Sequence, residues 1–249
     1  MDIINWEKFK TLNYNILVKN HNQYLFRGQA NSNWKLISSL YRIVEEYDVL
    51  NNIVNLDFLN IYVNNIIPEV HNILVSKWEF EPYNLSDIYQ FNSFLAKLQH
   101  YGFPTPLLDW SYNPYIAVFF AINDESNIGN YFSIYIFDYI AWIRKYYQPI
   151  NLLNETKFIS TFLSNNFGNE RAKLQQSVFT ISNVYDIEFE LLNISKDNNY
   201  QYLIKYNFSK DEIPKIKKDL ENMGIIKSKI FPNLEEICKN LAFQFFNKR

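Results

Sequence analysis

One cysteine, Cys238, stands in a chain of 249 residues, so no internal disulfide can form. Glycine is almost as scarce, and five in all leave little room for a Gly-rich phosphate loop or a nucleophile elbow. No apolar run approaches the roughly 20 residues that span a bilayer, so no membrane partner is expected. A basic segment followed by an apolar stretch is missing from the opening residues, and together with the lone cysteine this predicts a reducing, cytoplasmic setting. An excess of positive charge is missing too. The formal net charge of −2 argues against nucleic-acid capture by bulk electrostatics and leaves room only for a local basic groove. Cys238 and the three histidines, His21, His71 and His100, have no zinc-ligand spacing, so no metal is expected.

Apolar residues are plentiful at 48%, enough for a substantial core. Aromatic residues, 18% of the chain, are spread along its whole length, which fits a thick core better than a stacking surface. No repeat, low-complexity tract or Pro/Gly-rich linker divides the sequence. A single domain over residues 1–249 is therefore expected, with a helical subregion at about 41–100.

Periodicity supplies the elements. A short helix is expected from Asn5 to Leu12, with Trp6, Phe9 and Leu12 on one face, and a short strand from Gln23 to Arg27 ending at Gly28, where something packs closely. Helical spacing recurs from Tyr41 to Ser76 through Ile53, Leu56, Leu59, Val63 and Ile66, with Pro68 as the expected break. Ser86 is placed to cap a helix that buries Phe91, Phe94, Leu95 and Leu98 and stops at Gly102. Asn113 as cap and Pro114 as first residue start an apolar helix to Ala121. Strands are expected at Tyr131–Asp138, Val178–Ile181, Ile187–Leu192 and Tyr200–Phe208. Ser209 and Glu212 form a capping box before a helix ending near Gly224, and a last helix runs from Asn233 to Phe246. Clustered strands with flanking helices, without strict βαβ alternation, place the fold in the α+β class, with a compact mixed or antiparallel β core.

The densest chemistry lies in Leu98-Gln99-His100-Tyr101-Gly102-Phe103-Pro104-Thr105-Pro106-Leu107-Leu108-Asp109-Trp110-Ser111, which runs into Asn113-Pro114. Polar and ionisable groups are set there among apolar ones, just before a helix start that offers free backbone N–H groups. Arg27, in Phe26-Arg27-Gly28, is the other candidate: a planar guanidinium at a strand end grips a phosphate or carboxylate through two parallel bonds. Its alternative is a strand-edge ion pair. Asp109 either serves as a working carboxylate, caps the following helix or pairs with Arg27. His100 is either a proton carrier or a favourable charge at a helix end.

Phe26-Arg27-Gly28, then Gln99-His100-Tyr101-Gly102, Pro104-Thr105, Leu107-Leu108-Asp109-Trp110-Ser111 and Asn113-Pro114, resemble the FRG domain family. Arg171, Gln175, Gln176, Phe179-Thr180 and Ile230-Phe231-Pro232 extend the likeness. The chain departs from the pattern at Pro106, where many relatives carry Arg, and at Ser177, where they carry Gly. The order of motifs is also similar, more faintly, to the three-motif layout of NAD-dependent ADP-ribosyltransferases. That likeness implies that Arg27 would hold a phosphate of NAD, that Phe26, Tyr101 or Trp110 would stack on nicotinamide, and that Thr105 and Ser111 would position the ribose. Gln176, with Gln175 beside it, would stand at the third motif and bond a ribose hydroxyl. The catalytic Glu of that superfamily is missing, so Asp109 is the compensating carboxylate, with Glu170 and Glu188 behind it.

The residues thus nominated are Arg27, Asp109, Gln176 and His100 for catalysis, and Phe26, Arg27, Gly28, Tyr101, Thr105, Trp110, Ser111 and Gln175 for a nucleotide-like cofactor. The expected function is transfer of ADP-ribose from NAD to a macromolecular acceptor, in a bacterial toxin or phage-defence setting that the family context suggests. Two alternatives stand beside it. One is a non-catalytic FRG module for ligand sensing or protein interaction, favoured by the missing Glu. The other is a nucleic-acid-directed enzyme or binder using Lys215, Lys217, Lys218, Lys227 and Lys229 on the face of the pocket.

Overall fold

In the computed structural model the described residues are 2–19, 23–43, 47–48, 51–78, 80–123, 129–162 and 177–230. Their strands are β1 (Tyr24–Gln29), β2 (Tyr47–Asp48), β3 (Ile53–Val54), β4 (Leu107–Ser111), β5 (Tyr131–Asp138), β6 (Ile159–Phe162), β7 (Ser177–Ser182) and β8 (Leu203–Ser209). Six of them form one antiparallel sheet in the order β6-β7-β4-β1-β5-β8, and β2 pairs with β3 separately. Helices cover both faces, so the architecture is α+β.

One face of the sheet carries α1 (Trp6–Lys19), which packs with Phe132 and Phe208. The rings of Phe132 and Phe208 stack across neighbouring strands at 4.9 Å, the cross-strand contact that holds a half-apolar ladder in register. The π-helical turn Tyr62–Ile66 joins α2 (Leu56–Ile61) to α3 (Ile67–Trp78), and α4 (Ile88–His100) closes a second core over β4, β6 and β7. The apolar α5 (Pro114–Ile122) lies in the first core, against β1 and β5. On the opposite face, α6 (Tyr139–Lys145) and α7 (Ile187–Asn198) cover Leu25, Tyr135 and Phe137. A short 3-10 turn, Lys210–Glu212, leads into α8 (Ile213–Asn222), and α9 (Lys227–Ile230) follows.

The expected α5 is present with Asn113 as N-cap and Pro114 as first residue, and Asn113 Oδ1 accepts from the amides of Tyr115 and Ile116. The strand expected over Tyr131–Asp138 is β5 with the same bounds. Four expectations need correction. The strand expected over Ile187–Leu192 is helix α7: Asp186 caps it by accepting from Phe189 N, Ile187, Glu190 and Leu191 turn inward, and Phe189 is 50% exposed. That burial follows a spacing of three and four rather than two. Asp87, not Ser86, caps α4, accepting from Tyr89 and Gln90. Pro68 does not end its helix. It follows the π-turn, in which Ile67 N bonds Tyr62 O, and the extra residue there makes room for the proline ring. The subregion from 41 to 76 also holds the β2–β3 ladder before its helices begin. Cys238 and the helix expected over Asn233–Phe246 lie outside the described residues.

Candidate functional site

Along β1, side chains alternate between faces. Phe26 and Gly28 turn toward α5, and Leu25, Arg27 and Gln29 turn toward the face covered by α6 and α7. Phe26 is 1% exposed and sits in the core with Ile116, Ala117 and Ile136. Gly28 has a steric reason: a Cβ there would meet Ala117 O at 2.0 Å and Ala121 Cβ at 2.8 Å. Only glycine lets α5 lie this close to the strand.

Arg27 reaches sideways from β1 and its Nη1 donates to the main-chain oxygen of Asp109 at 2.7 Å. Its Nε is shut off from solvent and has no hydrogen-bond partner among the described residues. Burial pulls this guanidinium below its ordinary pKa; Asp109 acts against that shift, and the like charge of Arg42 adds to it. A cation held under those conditions is short of negative charge.

Beside Arg27 opens a cavity of about 430 Å³, within the size range of small-ligand sites. Arg27, Lys35 and Arg42 bring three cations to its wall, Gln29 and Asn33 bring amides, and Trp34 and Phe120 bring aromatic surface. Among the described residues no acidic side chain lines it. Lys35 pairs with Asp186 outside the wall at 3.5 Å. Burial raises the Asp186 carboxyl above its ordinary value, against the opposing pull of the Phe189 amide and Lys35.

A chain of hydrogen bonds ties this wall to the polar run before α5. The Asp109 carboxylate accepts from Gln99 Nε2 at 2.5 Å, and the Thr105 hydroxyl donates to Gln99 Oε1. The Thr105 amide donates to Ser39 Oγ at 3.0 Å, and the Leu40 amide to Thr105 O at 3.1 Å. Arg42 N in turn bonds Ser38 O at 3.1 Å, so the turn bearing the second arginine rests on the same scaffold. One network therefore joins Arg27, Asp109, Gln99, Thr105 and the Ser38–Arg42 turn. Residues 22–129, which contain all of these groups, match the family model of the FRG domain. The chain contains an FRG domain. No curated protein matches the chain, and neither does any solved structure.

The matched segment supplies β1 and β4 of the sheet, while the FRG domain's flanking partners β5 and β7 come from beyond residue 129. Within it, the residues nominated from sequence part into two groups. Arg27 and Gly28 line the cavity, and Asp109 touches Arg27 from the neighbouring strand. Thr105 and Ser111 are buried structural hydroxyls: Thr105 bonds Gln99, and Ser111 Oγ accepts from Asn113 N at 3.0 Å ahead of α5. Trp110 is 2% exposed and its Nε1 donates to Thr180 Oγ1, so its ring, like that of Phe26, belongs to the core. Tyr101 is 71% exposed and His100 ends α4, their rings meeting edge to face at 5.3 Å. Neither lines the cavity.

Glu188 accepts from the Tyr135 hydroxyl at 2.7 Å and pairs with Lys205 at 3.2 Å. Glu170, Arg171, Gln175 and Gln176 lie outside the described residues. Lys215, Lys217, Lys218, Lys227 and Lys229 are exposed along α8 and α9, and none lines the cavity; Lys215 pairs with Glu7 at 2.8 Å. Among the described residues no group of His, Cys, Asp and Glu could hold a metal ion. None of the helices described is long and apolar enough to cross a membrane. Sequence reasoning missed Gln29, Lys35 and Arg42 in the FRG domain. Lys35 and Arg42 come within fifteen residues of the Phe-Arg-Gly strand, and a cation count just after that motif was the available signal.

Proposed function

We propose that this FRG domain binds a phosphorylated, nucleotide-like small molecule in the cavity beside Arg27. One observation carries the reading: among the described residues three cations, Arg27, Lys35 and Arg42, line the cavity and no acid does. Phosphate oxygens supply negative charge to these cations, and the guanidinium fork suits them in geometry. Trp34 and Phe120 supply apolar wall for a base or nicotinamide ring. NAD and ADP-ribose belong to this ligand class.

Binding, as in a ligand-sensing module, is favoured over transfer of ADP-ribose. Thr105 and Ser111 spend their hydroxyls on local bonds, and no carboxylate of the described residues lines the cavity to support positive charge on a ribose. The test is calorimetric titration of the protein with pyrophosphate, ADP-ribose and NAD at two salt concentrations. Binding that weakens with salt and disappears in Arg27→Ala supports the proposal. Failure of all three to bind the wild-type protein overturns it. Incubation with NAD, followed by mass spectrometry for nicotinamide, separates binding from cleavage.

A further inference from the structure

A second cavity, of about 310 Å³, lies between the end of α6, the start of β6 and α7, and no described residue lines both it and the cavity beside Arg27. Aromatic rings make up much of its wall. Trp142 and Tyr146 stack on each other at 4.2 Å, Phe158 is buried, and Tyr147 lines the cavity while remaining 86% exposed. Two of these rings have already spent their polar ends. Trp142 Nε1 donates to Ile159 O at 2.8 Å, and the Tyr146 hydroxyl accepts from Asn198 Nδ2 at 2.7 Å. What they leave for a ligand is apolar ring surface.

Charge enters this wall as an ion pair, Lys157 with Glu190. The Glu190 side chain is 10% exposed, and both of its oxygens are filled: Lys157 reaches them at 2.8 and 3.0 Å, and Asn52 Nδ2 adds a bond at 3.3 Å. Lys157 is 41% exposed, and the two Glu190 oxygens engage two of the three N–H groups of its ammonium. The pair therefore has a donor to spare and no net charge. An amine would compete with Lys157 for oxygens already filled. A carboxylate would bring an acceptor but also set a second negative charge beside Glu190. An uncharged acceptor meets neither obstacle.

We propose that this cavity is a second ligand site, which takes a neutral aromatic molecule bearing a carbonyl acceptor. Ring contacts hold its body, and Lys157 donates one hydrogen bond to its carbonyl. The volume stands at the lower end of the range for small-ligand sites, which suits a bicyclic molecule.

The experiment is an NMR titration of the whole protein with three probes: indole, indole-3-carboxamide and indole-3-carboxylate. Wild-type protein should bind the carboxamide roughly 3- to 10-fold more tightly than indole, the range set by one net hydrogen bond, and more tightly than the carboxylate. In Lys157→Met the advantage over indole should fall to about one. Tyr147→Ala, a change at an exposed ring, should weaken indole and the carboxamide alike and preserve their ratio. Equal wild-type affinity for indole and the carboxamide overturns the proposal, as does a carboxylate that binds most tightly. An advantage that persists in Lys157→Met, or affinities untouched by Tyr147→Ala, puts the binding elsewhere and overturns it too. So does failure of all three probes to bind. Should Lys157→Met fail to fold because it strands Glu190, the wild-type ratios and Tyr147→Ala decide. Pyrophosphate binding belongs to the other cavity, so its loss leaves this site standing.

Discussion

Arg27 and Asp109 meet through a side chain and a main-chain carbonyl, at 2.7 Å, while the Asp109 carboxylate is occupied by Gln99 at 2.5 Å. The hydrogen bond that joins the two motifs thus rests on the position of β4 and not on the charge of Asp109.

Asp109→Asn tests this directly. The amide keeps an oxygen for Gln99 and leaves the main-chain acceptor of Arg27 untouched, so thermal denaturation should show a change within about 0.5 kcal/mol. Removing a negative charge that favours the Arg27 cation should leave pyrophosphate binding intact or tighter. A loss of roughly 3 kcal/mol or more would instead mark a buried ion pair between the two side chains.

Gly28→Ala is expected to be far more damaging than its size suggests. The added methyl overlaps the carbonyl of Ala117, a backbone atom inside a helix, and only a shift of α5 away from β1 relieves it. Urea denaturation should show a loss of about 1–3 kcal/mol or more. Phe120 lies on the same helix and lines the cavity, so ligand affinity should fall too.

Acid sensitivity has a defined source at the far side of the sheet. Asp219 accepts from Lys10 at 2.8 Å and from Trp6 Nε1 at 2.7 Å, and these bonds hold its carboxyl below the ordinary value of 3.8. A carboxyl depressed on folding contributes stability that is present above its unfolded pKa and is lost as pH falls through its folded one. Asp219→Asn should therefore be less stable than wild type near neutrality, by about 1 kcal/mol, and the gap should close below pH 3.8. Denaturation profiles of the two proteins across the acid range check it.

A fragment of residues 22–129 should not fold. Every residue of β1 pairs with β5, from Tyr24 with Asp138 to Gln29 with Ser133, and every residue of β4 pairs with β7. Between β1 and β4 themselves the ladder holds one pair, Phe26 with Ser111. Circular dichroism of the fragment should show no cooperative transition, and a fragment ending after β8 should regain one.

The features legible in the sequence obey physical rules that act over short distances. Asn113-Pro114 announces a helix start because cap and proline act locally, and the closeness implied at Gly28 is met by Ala117. Ile187–Leu192 reads as a strand because its alternation of apolar and acidic residues fits one as well as a helix, and the deciding signal is the cap at Asp186. β4 escapes a sequence reading since Leu107, Leu108, Trp110 and Ser111 are all buried, leaving no alternation in a short run closed in by prolines. For the site, Arg27 stands out by its motif. Gln29 and Arg42 do not, because nothing in their local sequence says that the fold sets them in one cavity wall with Arg27.

The single rung between β1 and β4 divides the sheet into two blocks, β6-β7-β4 and β1-β5-β8. Just past that rung the Asp109 carbonyl, which a continued ladder would offer to a strand amide, is taken by the guanidinium of Arg27. The side chain that lines the cavity is at the same time a stitch across the seam of the sheet. One guanidinium thus serves both the cavity wall and the cohesion of the two blocks, so any change at position 27 registers in both.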